Sequence, residues 1–511
     1  MSTPMLSTGT TIGSVLTAQA ARAGDAALVI APEAGRTLTY GGLARYRTRL
    51  AQLFVRKGVR RGDTVALYLH NGYQTAALFL GVMASGRVVA PLNLLSQRSQ
   101  LVWVLRHAAP RLVFTCPAHA SALAEAMAEI EDPPGTIVID VDAEDIFANE
   151  SSPEQPLRAA APRAADTALL MYTSGTTGTP KGVMLSHANL LAGARAVASW
   201  HGLGPADRVL SSLPLYHING QVIATLAPFV SGGSIVAPHR FSVSQWWDLV
   251  AAHQCTWINM VPTIIAYLLN AGDGAPRIFP SVRFGRSASA PLPPDQHTAF
   301  EARFGMPILE GMGMTECAST VFCNPHDSRR RTGSPGLPCG VEAGVIDAQG
   351  RRLATGEVGE IVLRGPNVMA GYFNAPDKTA EAIDGDGWLR TGDLGYRDAD
   401  GFYVVTGRLK ELIIKGGENI APREIDEALL RYPAILEAAA FAVPDRSYGQ
   451  EIAAALILKP GARLDEAELR TWCLRELGKY KTPLRFHVVD ELPKGPSGKV
   501  QRLKLVEMLG T

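Results

Sequence analysis

Short apolar runs alternate along most of the chain with stretches whose apolar residues recur every three or four positions, the pattern of layered α/β architecture. Val65 to Leu69, Val88 to Pro91 and Leu112 to Thr115 read as strands, and Gln74 to Ala84 as the helix between the first two. The repetition predicts βαβ units. Nearer the C-terminus, Ile452 to Leu458 is strand-like, and Leu469, Trp472, Cys473 and Leu477 share one helix face, so the last ~100 residues are expected to form a compact unit of their own. Eight of the eleven lysines follow Arg408. A boundary is expected there, dividing residues 1–408, a large N-terminal multi-sheet α/β domain, from residues 409–511, a small α+β domain. The Pro/Ala-rich stretch Ser151 to Ala165 predicts a surface linker leading into a strand over Ala168 to Tyr172.

Composition narrows the partners. The chain has 511 residues, 47% of them hydrophobic, with Lys+Arg 49 against Asp+Glu 48 and a formal charge of +1. That balance removes the long-range attraction nucleic-acid binders use, so nucleic acid is not an expected partner. No apolar stretch approaches the ~18 residues of a membrane span; Val222 to Val230 is among the longest, and Gly232 and Gly233 follow it. No membrane association is expected, and no basic, apolar leader or C-terminal targeting tripeptide is present, which makes the expected location cytoplasmic. Cys116, Cys255, Cys317, Cys323, Cys339 and Cys473 include no C-x-x-C pair, which argues against a disulfide framework and a zinc site and predicts buried thiols.

The chemistry concentrates in Thr173-Ser174-Gly175-Thr176-Thr177-Gly178-Thr179-Pro180-Lys181-Gly182, between an apolar strand and a helix capped by Ser186. Gly175 and Gly178 permit backbone angles that turn successive N–H groups toward one anion; the hydroxyls add donors and Lys181 a point charge. This is a phosphate cradle. It is not a Walker A loop, because Lys181 is followed by Gly182 where that pattern needs Ser or Thr.

Tyr172 to Gly182 resembles the signature loop of the adenylate-forming superfamily, which includes acyl-CoA synthetases, luciferases and peptide-synthetase adenylation domains. Further motifs of that family follow in order: Leu213-Pro-Leu-Tyr-His217, Gly311-Met-Gly-Met-Thr-Glu316, Thr391-Gly-Asp393, Gly407-Arg-Leu-Lys-Glu411 and Pro493-Lys-Gly-Pro-Ser-Gly-Lys499. The resemblance spans essentially the whole chain. It implies activation of a carboxylic acid with ATP and Mg²⁺, release of pyrophosphate, transfer to coenzyme A, and a small C-terminal domain that is mobile.

On that resemblance, Thr173 to Lys181 wraps the β- and γ-phosphates, and Thr177 and Glu316 stand at the metal end. A carboxylate there suits Mg²⁺, which takes hard oxygen ligands. Gly311, Met312 and Thr315 belong to the nucleotide segment, with Met312 where the family usually stacks an aromatic ring on adenine. Asp393 corresponds to the acceptor of both ribose hydroxyls, and Arg408 to a ribose or phosphate contact. Lys499 corresponds to the catalytic ammonium that meets charge developing between acyl carbonyl and α-phosphate, and Lys410 to the hinge of a domain rotation. Lys415, Gly416 and Gly417 are then expected to face the pantetheine tunnel, and His217 to gate it.

The acid is read from fewer residues. His217-Ile-Asn219, His239-Arg-Phe-Ser242, Arg286-Ser-Ala-Ser289 and Gly333 to Gly340 resemble the oxalate- and malonate-type CoA ligases. Arg240 and Arg286 are expected to place fixed cations near the acyl pocket, beside His217, Asn219 and Ser287. A guanidinium pairs bidentately with carboxylate or sulfonate, so a short acid with a second anionic group is expected: sulfoacetate, malonate or oxalate. Asn219 and Ser319 replace histidines that the oxalate type tends to carry.

Competing readings are a medium-chain or aryl acid as substrate, transfer to a carrier-protein thiol, and a non-catalytic protein that binds nucleotide or acyl-adenylate. Lys181, Glu316, Asp393 and Lys499 occurring together speak against the last. A dinucleotide oxidoreductase fails because Gly311-Met-Gly313 lacks the third glycine and the downstream acid. A monomer and a homo-oligomer are both compatible with the sequence.

Overall fold

The computed structural model describes residues 9–147, 161–174, 180–271, 278–494 and 500–509. Backbone proximity divides the chain into two compact units, one of residues 1–342 with 363–389, the other of residues 343–362 with 390–511. The expected division between residues 1–408 and 409–511 falls inside the second of these units.

The first unit is α/β, as the alternating pattern predicts. Strands Thr64–Tyr68, Val88–Pro91 and Leu112–Thr115 pair in parallel, with helix Tyr73–Ala84 crossing between the first two. That helix is apolar all round because every residue from Gln74 to Ala84 is buried. These strands belong to a seven-stranded sheet whose far side ends in the antiparallel hairpin Thr167–Ser174 and Pro180–Ser186 and the two-residue strand Gly371–Tyr372. The strand expected over Ala168 to Tyr172 is thus the first arm of that hairpin. Most of the expected linker lies outside the described residues. Ser186 caps helix His187–Trp200 through a reciprocal bond pair with Asn189, as the sequence predicts.

A nine-stranded sheet completes the unit, with Ser234–Val236, Arg208–Leu210, Trp257–Met260, Phe284–Ser287 and Ile308–Met314 successive parallel neighbours. Trp246, Trp257, Phe284 and Phe300 fill the space between its strands and helices. The segment carrying His217 and Asn219, and the turns bearing Arg240 and Ser289, all follow the carboxyl ends of these parallel strands, the edge where open α/β sheets place ligands.

The second unit holds most of a four-stranded sheet ordered Glu342–Ile346, Gly359–Arg364, Leu389–Arg397, Tyr403–Arg408, and a five-stranded sheet built on the long hairpin Ile435–Asp445 and Gly449–Leu458. Helix Glu466–Lys481 packs Leu469 and Cys473 into the core of the latter, with Trp472 and Leu477 at its margin. All six cysteines are buried and unbridged. No helix among the described residues is long and apolar enough to cross a membrane.

Candidate active site

At the hairpin Thr167–Ser174 and Pro180–Ser186, Thr173 stands opposite Lys181 and Ser174 opposite Pro180, so the cradle is the loop joining two paired strands. Gly175, Thr176, Thr177 and Gly178 lie in that loop, outside the described residues. Lys181 leaves the second strand with its Nζ 4.7 Å from the centroid of the Tyr372 ring. The Tyr372 hydroxyl donates to Glu316 Oε1 at 3.1 Å. Burial, with the Glu316 carboxylate second, pushes the Tyr372 phenol well above its ordinary range, so it remains a donor. Tyr372 therefore connects Lys181 to Glu316 through two contacts. Tyr372 escaped the sequence reading because it sits in a two-residue strand with no motif around it.

Glu316 is aimed by strain-bearing backbone. Thr315 to Cys317 forms a single 3₁₀ turn, and the next two residues, Ala318 and Ser319, have φ of 45° and 89°. Asn367 Nδ2 donates to the Cys317 carbonyl at 2.9 Å, and the Met369 N–H to the Glu316 carbonyl at 2.7 Å. Gly313 allows the strands around this turn to close: a Cβ there would lie 2.0 Å from the Ser319 carbonyl oxygen. Met312 is half-buried opposite Phe322, and Thr315 is half-buried at the start of the turn.

The expected acyl-pocket residues separate into two groups. Asn219, at the head of the π-helix Asn219–Leu226, donates from Nδ2 to Ser289 Oγ at 3.0 Å and accepts on Oδ1 from Asn259 Nδ2 at 2.9 Å. Asn259 was not foreseen, because one amide within the apolar strand Trp257–Met260 reads as core; it is fully buried and its Oδ1 has no partner among the described residues. His217 is half-buried on the preceding turn, edge-on to Tyr216 at 4.8 Å. Arg240 is exposed after strand Ser234–Val236.

Arg286 and Ser287 depart from expectation. Both side chains are 0% exposed, so no water-sized molecule touches either. The Arg286 guanidinium lies beneath Gly311, where a Cβ would meet Nη2 at 2.9 Å, and that nitrogen donates to Thr320 Oγ1 at 2.8 Å. Burial lowers its pKa. Arg286 thus braces the strand carrying Gly311 and Met312 instead of lining open space as the sequence led one to expect.

In the second unit, the Thr391-Gly392-Asp393 turn is held by the Thr391 hydroxyl on the Ile361 carbonyl at 2.7 Å and by the Gly392 N–H on Glu360 Oε1 at 3.0 Å. Asp393 is buried and paired in register with Arg408, whose Nε donates to Oδ1 at 2.7 Å; Oδ2 is buried without a partner among the described residues. A carboxylate oxygen so placed fits a hydroxyl donor such as those of ribose. Lys410 is exposed in the 3₁₀ turn Leu409–Glu411.

Gly416 and Gly417, at φ 54° and 86°, close a two-residue hairpin between Lys415 and Glu418. The Lys415 side chain turns inward: its Nζ is 2.6 Å from Glu451 Oε1 and 2.9 Å from the Tyr480 carbonyl, between the Tyr448 and Tyr480 rings. Gly416, Gly417 and Glu418 of this turn are exposed, whereas the Lys415 ammonium is committed within the unit. Lys499 lies outside the described residues.

Residues 16–373 match the family of AMP-binding enzymes, and residues 424–499 the AMP-binding enzyme C-terminal domain. The sulfoacetate–CoA ligase of Cupriavidus necator is 55% identical over 503 residues, covering 97% of both chains. The oxalate–CoA ligase of Saccharomyces cerevisiae is 33% identical and covers 94% of both. The structure of o-succinylbenzoate CoA synthetase from Bacillus subtilis, in complex with ATP and magnesium ion, superimposes with a TM-score of 0.86 at 31% identity, covering 96% of this chain and 98% of that one. The chain belongs to the AMP-binding enzyme family, the adenylate-forming superfamily, and carries both of its domains.

Proposed function

We propose that the protein is an AMP-forming acid–CoA ligase whose acid is sulfoacetate. The observation that carries the ligase reading is the pair of contacts by which Tyr372 connects Lys181, on the hairpin, to Glu316. Activation brings a carboxylate against the α-phosphate, so the site has to offset repulsion between anions and stabilise departing pyrophosphate. ATP supplies the adenylyl group, and a Mg²⁺ held by Glu316 and Thr177 would neutralise charge on its phosphates. Lys181 gives a fixed cation at the end of the cradle, Tyr372 keeps the Glu316 carboxylate oriented, and Glu316 with Thr177 offers hard oxygens to the metal. Thr173 and Ser174, with Gly175, Thr176 and Gly178, supply the remaining hydroxyl and N–H donors. Asp393 offers its unpartnered oxygen to ribose while Arg408 fixes the other.

Lys499 brings the ammonium that stabilises the adenylation transition state, and a swivel at Lys410 withdraws it before the thiol attacks; residues 409–511 are the part that turns. Gly416 and Gly417 let backbone approach pantetheine, and His217 gates its path. The acid sits at the carboxyl edge of the nine-stranded sheet, with Asn219 and Ser289 as neutral donors and Arg240 as the cation for its second anion. Sulfoacetate is favoured over oxalate by the 55% identity to a sulfoacetate–CoA ligase. It is also consistent that all three relatives named above are named for acids with two anionic groups. Cytosolic location and a monomer or homo-oligomer complete the proposal.

A panel of small acids, assayed for CoA- and ATP-dependent pyrophosphate release, tests it. Sulfoacetate should give the highest kcat/KM, with malonate and oxalate below it and propionate lowest; a preference for propionate or a fatty acid would overturn the choice of acid.

A further inference from the structure

A second cluster of chemistry-bearing side chains lies in the first unit, built from residues that took no part in the nucleotide or acyl reading. His70 stands two residues beyond strand Thr64–Tyr68, and Cys116 directly follows strand Leu112–Thr115. Cys116 begins helix Pro117–Met127, which puts His119 in its first turn. The two strands are parallel neighbours, with Tyr68 opposite Thr115, so their ends emerge side by side. Strand Val88–Pro91 lies on the other flank of Thr64–Tyr68. The chain therefore leaves these neighbouring strands in opposite directions, the topology at whose carboxyl ends open α/β sheets hold ligands.

One ligand atom from each of His70, Cys116 and His119 lies within 4.8 Å of the others. Cys116 Sγ is 3.5 Å from His70 Nδ1. That is about the edge of a zinc tetrahedron with Zn–S near 2.3 Å and Zn–N near 2.1 Å. The His70 and His119 rings meet edge-on at 5.5 Å, and His119 Nε2 is buried without a partner among the described residues. On the other side of His70, the His239 ring stands 5.3 Å away with its Nε2 3.0 Å from Asp142 Oδ1.

We propose that His70, Cys116 and His119 bind one divalent transition-metal ion of the zinc class, leaving a fourth position for water or a small anionic ligand. Two imidazoles and a thiolate select such an ion over Mg²⁺, which takes oxygen donors, so this site is distinct in both residues and chemistry from the Mg²⁺ position assigned to Glu316 and Thr177. Binding replaces the thiol proton of Cys116 by the metal and releases that proton to solvent. The absence of a C-x-x-C pair, which argued against zinc at the level of sequence, does not address this arrangement, because the three donors come from two strand ends, His70 and Cys116 standing 46 positions apart.

Cobalt(II) is the probe. The full chain, stripped with a chelator and kept in excess Mg²⁺, should take up one equivalent of Co²⁺ with a sulfur-to-cobalt charge-transfer band in the near ultraviolet, which one equivalent of Zn²⁺ abolishes. Cys116→Ser should lose the band, and the half-buried His119→Gln should weaken Co²⁺ binding by about 10-fold or more. Circular dichroism and the metal-free melting temperature of each variant establish that it is folded. Absence of the band in the unaltered chain, or equal Co²⁺ binding by folded His119→Gln, would overturn the proposal and leave Cys116 as a thiol hydrogen-bonded to His70.

Discussion

Arg408 engages one oxygen of Asp393 and leaves the other without a donor: Nε donates to Oδ1 at 2.7 Å, while the buried Oδ2 meets no donor among the described residues. A buried carboxylate oxygen without a donor costs free energy that a ligand hydroxyl recovers on binding. Asp393→Asn keeps the shape and removes the charge. Its KM for ATP should rise about 10- to 100-fold, the worth of a charged hydrogen bond of about 1.5–3 kcal/mol. Pyrophosphate exchange at varied ATP measures it; an unchanged KM would show that Oδ2 meets no nucleotide.

Arg240 and Arg286, alike in sequence, should behave differently. Arg240→Leu should raise KM for sulfoacetate relative to propionate by about 10-fold or more, because an exposed cation at the sheet edge is free to pair with sulfonate. Arg286→Ala should leave that ratio unchanged and lower stability by about 3 kcal/mol, since it opens a void beneath Gly311 and removes the partner of Thr320. Acid-panel kinetics and thermal melts on both variants check the pair. Reversed behaviour would place the anion site at 286.

Lys499→Ala should lose most pyrophosphate exchange and retain thioester formation from supplied acyl-adenylate, because the ammonium is needed only while charge develops on the bridging oxygen. Equal loss in both half-reactions would contradict the swivel at Lys410.

The fold was legible wherever apolar period alone decides. Val88–Pro91 and Leu112–Thr115 lie where their apolar runs put them, and Ser186 caps the expected helix. The site was legible where residues stand close in sequence, as in Thr173 to Lys181 and Gly311 to Glu316. It was not legible where pairing across strands sets the chemistry. Nothing near Tyr372 signals that it reaches Glu316, and the environment of Asn259 is created by Asn219, 40 residues away. Arg286 and Lys415 mislead for one reason: residue type states that a cation is present, while only packing states that Gly311 and Glu451 enclose it.

His187 gives a stability signature independent of activity. Its ring is 1% exposed, its Nδ1 accepts from the Ile12 N–H at 3.4 Å, and burial lowers its pKa from 6.5 to about 4. The unfolded chain takes up the proton first, so stability is full above pH 6.5 and is lost as pH falls toward 4. The slope from this group is up to about 1.4 kcal/mol per pH unit. Denaturant melts across that window should show His187→Gln with a shallower decline than the unaltered protein; parallel curves would mean that the imidazole is not what titrates.

The route through an acyl-adenylate is tested most directly by following oxygen. Sulfoacetate labelled with ¹⁸O in its carboxylate is turned over with ATP, Mg²⁺ and CoA, and the products are weighed by mass spectrometry. Attack of the carboxylate on the α-phosphate and later departure of AMP on thiol addition predict one ¹⁸O in AMP and none in pyrophosphate. Unlabelled AMP, or label appearing in inorganic phosphate beside ADP, would contradict it.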